Sequence, residues 1–302
     1  MTARLEGKCA IVTGAAQGLG RAFSVGLASE GASVVLADMN LVGAEEGASL
    51  IQEAGGQAIS VHVDVSNPAH TQIMAKTALA AYHRIDILVN NAGIYPIKPW
   101  DHITLEEWNH VLAVNLTGPF LCAQAVFPTM QAQGYGKIIN ISSGAFFAGL
   151  PNFLHYVSSK AGLIGFTRAL AREVGDHGIR VNAITIGLTQ TEGVKSLVTQ
   201  GVFPEEAGDQ MAAQQCIKRR EQPEDALGAV IFLAPPRNLT LSPGRRSMLM
   251  AAGPCIKAWD DTLKAALFSN HPETSRANHP RRTDHGGRSC APRQLTRALA
   301  LE

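Results

Sequence analysis

The chain has 302 residues, 46% of them hydrophobic, and a formal net charge of +1 at pH 7. That length suits one large α/β domain with a substantial core, and its five scattered cysteines, never spaced as CxxC, argue against a disulfide frame or a zinc site. The charge is uneven: residues 1–233 carry 15 Lys/Arg against 20 Asp/Glu, whereas residues 234–302 carry 11 against 5.

Short β-rich runs alternate with helical stretches along the first part. "CAIVTG" (9–14) leads into "GLGRAFSVGLASEG", and "SVVLAD" (33–38) into "LVGAEEGASLIQEAG". "AISVHVDV" (58–65) precedes "PAHTQIMAKTALAAYH", and "IDILVNNAG" (85–93) precedes a long helix over about 105–121. "GKIINISS" (136–143) precedes a helix around 156–175, and "IRVNAITIG" (179–187) follows. Strands this apolar are buried on both faces, as parallel strands covered by helices are. The alternation predicts a Rossmann-type, doubly wound parallel sheet with helices on both faces. Residues 1–233 form one domain on this reading. The N-terminus shows no apolar signal core, and no apolar run reaches the roughly 18 residues of a membrane span, so a cytoplasmic setting is expected.

"VTGAAQGLGRA" places Gly14, Gly18 and Gly20 where the first strand turns into the first helix, with Gln17 and Leu19 in the same turn. Glycines allow positive φ and close approach of the backbone to a pyrophosphate. The helix N-terminus adds free N–H groups and the positive end of its dipole. Gly20 permits close packing of helix on sheet. The competing reading is an ordinary Gly-rich turn. Asp38 closes the second strand, where an acid accepts hydrogen bonds from the ribose hydroxyls of NAD and repels a 2′-phosphate. No Arg or Lys lies between Gly14 and Gly20, so NAD is favoured over NADP.

"HYVSSKAGLIGFTRAL" holds Tyr156 and Lys160 four residues apart, on one helix face. A free phenol titrates near 10, and lowering it to neutrality needs about 4 kcal/mol. One cation at about 4 Å supplies roughly that at an effective dielectric of 20. Ser143 ends the strand before this helix, where its hydroxyl faces the ligand crevice. Ser142 is its rival, and successive strand residues face opposite sides, so at most one of the two meets the substrate. Asn115 sits inside the predicted helix 105–121, a position where its side chain competes for backbone groups and can leave a carbonyl free.

Together these stretches resemble the short-chain dehydrogenase/reductase family: "TGAAQGLG", Asp38, "DV" at 64–65, "NNAG" at 90–93, Asn115, "NISS", "YVSSK" and "RVNAITIG" stand in the family's order and spacing. The resemblance covers about residues 5–233. It implies hydride transfer between a nicotinamide and an alcohol or ketone, in a homodimer or homotetramer. Tyr156 is then the base, Ser143 positions the substrate oxygen, and Lys160 binds the nicotinamide ribose and lowers the tyrosine pKa. Asn115 holds a water of a proton relay. Asp64 and Val65 flank the adenine, and Asn91, Ala92 and Gly93 line the cofactor floor. Gly187, Thr189 and Thr191 face the nicotinamide amide. Ile186 departs from the family's usual Pro. Tyr95, Trp100, Phe146, Phe147, Phe153 and Phe203 suggest an apolar or aromatic secondary alcohol.

After "EQPEDALGAVIFLA" the family's closing strand, something like "ITGQ…VDGG", does not appear. "LSPGRRSMLMAAG" (241–253) stands there instead. Back-translated with permitted codons and read one nucleotide earlier, it yields "ITGQTVDADGGW". A frameshift near 233–240 accounts for this; a lineage-specific basic tail is the alternative. Either way the final strand is missing or replaced, and residues 256–302 are expected to be largely disordered. "SMLMAAG" offers a makeshift strand. A nucleotide-binding protein with impaired catalysis is the rival function. The tail lacks aromatic platforms for nucleic acid.

Overall fold

The computed structural model describes residues 3–235, apart from 202 and 216, and the backbone of 248–250. These residues belong to one compact unit, Met1–Leu267. The expected disorder of 256–302 lies outside the described residues.

Seven parallel strands stand in the order 3-2-1-4-5-6-7. They are β1 (Cys9–Thr13), β2 (Ser33–Asp38), β3 (Ala58–His62), β4 (Ile87–Asn90), β5 (Gly136–Ser143), β6 (Ile179–Ile186) and β7 (Met248–Met250). Between them run α1 (Gly18–Ser29), α2 (Leu41–Glu53), α3 (Pro68–Tyr82), α4 (Leu105–Leu112), α5 (Gly118–Gln133), α6 (Ala145–Ala148), α7 (Leu154–Glu173), α8 (Glu192–Thr199), α9 (Glu205–Gln214) and α10 (Pro223–Leu233). The order reverses between β1 and β4, the switch point at which such sheets open a crevice at their carboxyl ends.

Alternate strand residues feed two cores. Val12, Leu36, Val89 and Ile141 pack with Phe23 and Leu27 of α1, Ile51 of α2 and Val230 of α10. Ile11, Val35, Leu88 and Ile138 pack with Met74 of α3 and Val126 and Met130 of α5. A strand with helices on both sides therefore has no polar face, which is why the runs read as continuously apolar.

A buried polar chain ties three elements together. Asn90 Nδ2 donates to Asn140 Oδ1 at 2.8 Å, Asn140 Nδ2 to Thr167 Oγ1 at 2.8 Å, and Thr167 Oγ1 to the Leu163 carbonyl at 2.7 Å. It joins β4, β5 and α7.

The helix expected over 105–121 is interrupted. Ala113–Thr117 forms a π-helical turn between α4 and α5. Such turns insert a residue into the helical ladder and often mark functional sites. Among the described residues, Leu105–Gln133 is the one helical stretch long and apolar enough to cross a membrane, with mean hydropathy 1.5. Its Val111, Val114, Cys122 and Val126 are nevertheless buried within the fold.

The last strand is replaced, as expected. β7 pairs with β6 through Ala183↔Met248, Ile184↔Leu249 and Thr185↔Met250. The makeshift strand from "SMLMAAG" thus forms over three residues.

Candidate active site

The β1–α1 turn is shaped by two glycines. Gly14 has φ +64°, and a Cβ on it would lie 2.8 Å from Ala92 Cα. A Cβ on Gly20 would lie 2.0 Å from the Gly14 carbonyl oxygen. Asn91 Nδ2 braces the turn from beneath, donating to the Thr13 and Gly14 carbonyls at 3.0 Å each. Thr13 Oγ1 accepts the Asn91 and Ala92 N–H groups at 3.1 and 3.2 Å. Gln17, at the start of α1, makes no side-chain cap. The first-turn N–H groups of α1 thus keep their capacity for an anion.

This turn walls a cavity of about 440 Å³. Gly14, Gln17, Gly18 and Leu19 form one side, Asp38 with Met39 and Asn40 another. Asp64 and Val65 line it, as do Asn91, Ala92 and Gly93, and Thr191 stands across the mouth. Gly20 lies beneath the turn instead, in keeping with its packing role. Gly187 and Thr189 sit behind the wall: Gly187 N–H donates to Glu221, and Thr189 is buried.

Asp38 Oδ2 accepts the Ala16 N–H at 2.9 Å and Oδ1 the Asn40 N–H at 2.8 Å. Each oxygen keeps a lone pair for a ligand hydroxyl. Asp64 Oδ1 accepts from the Ser66 hydroxyl at 2.6 Å and its N–H at 2.9 Å. Those bonds hold its carboxyl below the usual range.

Ser142 and Ser143 divide as strand pleating requires. Ser142 Oγ donates to the Lys160 carbonyl at 3.0 Å, while Ser143 Oγ accepts the Ala145 N–H at 3.2 Å and lies near enough to the Tyr156 phenol to draw its pKa down. The Tyr156 ring meets Tyr95 and Phe153 edge-on, each at 6.1 Å between centroids. Burial pushes the Tyr95 phenol up, and the nearby Thr191 opposes it.

One expectation is corrected here, for the site without a bound dinucleotide. Lys160 was to draw the phenol toward neutral pH, yet burial outweighs every other influence and pushes Tyr156 up to about 12, with Ser143 opposing and Tyr95 adding to it. Lys160, itself 5% exposed, is lowered to about 8 by its own burial. Its Nζ donates to the Ile141 carbonyl at 2.9 Å. The Asn115 side chain is itself engaged: Oδ1 accepts the Ile94 N–H at 2.8 Å, and Nδ2 donates to the Ile94 carbonyl and Ser159 Oγ. The side chain braces the segment after Gly93 against α7.

Residues 8–201 match the short chain dehydrogenase family. The chain belongs to that family. This short-chain dehydrogenase is 39% identical over 229 residues to an uncharacterized oxidoreductase of Thermotoga maritima, covering 76% of this chain and 90% of the relative. It is 36% identical over 233 residues to the 7alpha-hydroxysteroid dehydrogenase of Escherichia coli K12, covering 77% and 89%. Among solved structures it is similar to a protein assigned as an NAD(P)-dependent gluconate 5-dehydrogenase from Beutenbergia cavernae, with NADP at low occupancy. That match has a TM-score of 0.75 and 33% identity, over 84% of this chain and 98% of the other. The dehydrogenase is therefore an oxidoreductase of a family that binds a nicotinamide cofactor.

Sequence reasoning missed Thr13 and Glu221. Thr13 reads as an ordinary strand-end residue, and its role appears only once β1 and β4 are adjacent. Glu221 lies 34 residues from the Gly187 it touches, with no spacing rule to connect them.

Proposed function

We propose that this short-chain dehydrogenase uses NAD to interconvert an apolar or aromatic secondary alcohol and its ketone. The observation that carries this reading is the grouping of Tyr156 with Ser143 and Lys160, joined through the Tyr95 ring to a cavity walled by the glycine turn and Asp38. The cavity suits a dinucleotide: the uncapped first turn of α1 takes the pyrophosphate and Asp38 the adenosine ribose. When bound, the nicotinamide supplies or accepts the hydride.

The side chains handle the proton and the orientation. Ser143 holds the substrate oxygen against the phenol. Tyr156 takes the hydroxyl proton in oxidation and returns it in reduction. Lys160 fixes the nicotinamide ribose, and its ammonium offsets charge growing on the phenolate. Gly93 makes room, since a Cβ there would lie 3.3 Å from Lys160 Nζ.

NAD is favoured because Asp38 presents a negative charge where a 2′-phosphate would sit. The nearest basic group of α1, Arg21, is committed to the Gly43 carbonyl and Glu46, each at 3.0 Å. The rings of Tyr95, Phe153 and Tyr156 favour an apolar substrate. The relative acting on a hydroxysteroid, a secondary alcohol on an apolar skeleton, agrees with that.

The test follows nicotinamide absorbance with aryl and alkyl secondary alcohols, with NAD and NADP in parallel. Turnover with NAD that disappears in Tyr156→Phe is the expected result. Dinucleotide binding without turnover of any alcohol or ketone would leave a nucleotide-binding protein and overturn the enzymatic reading.

A further inference from the structure

We infer that Glu221 is a positioning residue for the loop Gly187–Thr191, clamping its backbone from behind the cavity. The inference rests on the dinucleotide reading above, since that loop carries Thr191 to the cavity wall.

Two hydrogen bonds define the clamp. Glu221 Oε2 accepts the Gly187 N–H at 3.0 Å. The Glu221 carbonyl accepts the Gln190 N–H at 2.8 Å. Between them, Thr189 and Glu221 form an isolated parallel bridge. One residue thus grips the loop at its first and fourth positions, with Thr189 paired alongside it. The loop continues into Thr191, whose Oγ1 caps α8 by accepting the Val194 N–H at 3.3 Å. At its other end the Ile186 carbonyl accepts the Gly144 N–H at 2.7 Å, next to Ser143. Displacing Gly187 therefore disturbs both the cavity wall and the end of β5. No proline at 186 stiffens this turn, so hydrogen bonds must hold it.

The burial of Glu221 requires a reason. The residue is 3% exposed, and Oε1 has no hydrogen-bond partner; nor has the buried Thr189 Oγ1. A buried carboxyl lacking a dedicated cation costs several kcal/mol unless bonded. The groups that act on it are few. Burial pushes its pKa up; the Gly187 N–H pulls it down, as does the adjacent Thr189 hydroxyl, which stands outside hydrogen-bonding geometry; Asp225 pushes up and Arg219 pulls down. Arg219 is spent on Asp225, bonding both carboxylate oxygens at 2.5 Å. Arg220 bonds Asp209 and the Glu205 carbonyl, and reaches Gln190 Oε1 of the loop at 3.4 Å. The carboxyl is directed at loop backbone instead of an ion pair.

The test compares Glu221→Ala and Glu221→Gln with the wild-type full chain, by amide exchange without added dinucleotide and by the Kd for NAD. In Glu221→Ala, exchange of the Gly187 and Gln190 amides should accelerate and Kd should weaken, each by about ten-fold, the worth of one charge-assisted hydrogen bond. Glu221→Gln keeps an acceptor and should restore Kd to within about two-fold, a difference near the noise of one weak contact. It should also abolish any pH dependence of Gly187 exchange, beyond the intrinsic rate, that the wild type shows in the carboxylate range. Unchanged amides and Kd in Glu221→Ala overturn the inference, as does a Gln variant as impaired as Ala. If Glu221→Ala does not fold, the Gln pH profile decides: a wild type as flat as Gln overturns the clamp. A wild type that binds no NAD defeats the proposed function, while the exchange arm still judges the clamp.

Discussion

Lys160 Nζ donates to the Ile141 carbonyl at 2.9 Å and lies 5.8 Å from the centroid of the Tyr156 ring. Strand β5 thus holds the cation in place while the phenol remains a neighbour and not a direct partner. The arrangement costs stability. The buried amine titrates at about 8, against 10.5 unburied. Below pH 8 it is charged folded and unfolded alike, so the burial cost is fully present. The cost is relieved as pH rises from about 8 to 10.5, because the folded form loses its proton first. Lys160→Met should therefore be more stable than wild type at pH 7, by about 1–3 kcal/mol in urea unfolding, while losing turnover. A less stable variant would contradict the assignment.

Removing the phenolic hydroxyl isolates the proton step. Tyr156→Phe keeps the ring and its edge contacts with Tyr95 and Phe153. Turnover should fall by about 10²–10⁴-fold, the usual worth of a positioned acid–base group. Dinucleotide affinity should hold within about two-fold, since the ring stays in place. Without cofactor, ultraviolet titration should show the phenol unionised until about pH 12. A phenol ionising near neutrality under those conditions would refute the dominance of burial.

Gly20→Ala places a methyl 2.0 Å from the Gly14 carbonyl oxygen, and backbone cannot yield as a side chain can. The turn must open. Dinucleotide affinity should drop more than about ten-fold, with stability lower by about 1–3 kcal/mol. Calorimetric titration reads the first and thermal unfolding the second. An alanine variant that binds as tightly as wild type would mean the turn does not carry the ligand.

Asp38→Asn removes the charge and keeps one acceptor for the Ala16 or Asn40 N–H. The preference for NAD over NADP should shrink by about ten-fold or more, because a like-charge contact disappears. Parallel kcat/KM values for the two cofactors provide the check. An unchanged ratio would place the discrimination elsewhere.

Alkali should destabilise the fold through its buried thiols. Cys122 is pushed up to about 12 by burial, from 9.0. The unfolded thiol ionises first, so its contribution is intact below pH 9 and is lost as pH climbs toward 12. Between pH 8 and 10.5 this one group should cost about 2 kcal/mol. Cys122→Ala should narrow the gap between urea unfolding free energies at those two pH values by that amount. An identical gap in both proteins would rule the thiol out.

Much of this was legible in the chain itself. The apolar runs located all six full strands, because a sheet covered on both faces leaves them no polar positions. The glycine spacing and Asp38 marked the cavity wall, because backbone approach and strand ends depend on local residue type. What escaped was long-range. The π-helical turn at Ala113–Thr117 has no side-chain signature, and Glu221 meets Gly187 only through the fold. The pKa of Tyr156 was misjudged because a helix-face spacing reports the cation but not the depth of burial around the phenol. Alternation alone could not choose between Ser142 and Ser143; the carbonyl of Lys160 does.

The hydrogen bond from Asn140 to Thr167 acts as an indexing pin for α7. Thr167 stands seven residues beyond Lys160 and eleven beyond Tyr156, and at about 100° per residue those intervals bring all three to nearly the same azimuth. Any axial slip or roll of the helix must therefore tear an amide from a buried hydroxyl before it can swing the Tyr156 phenol. The aim of that phenol is calibrated some three turns away, at a buried contact between strand and helix.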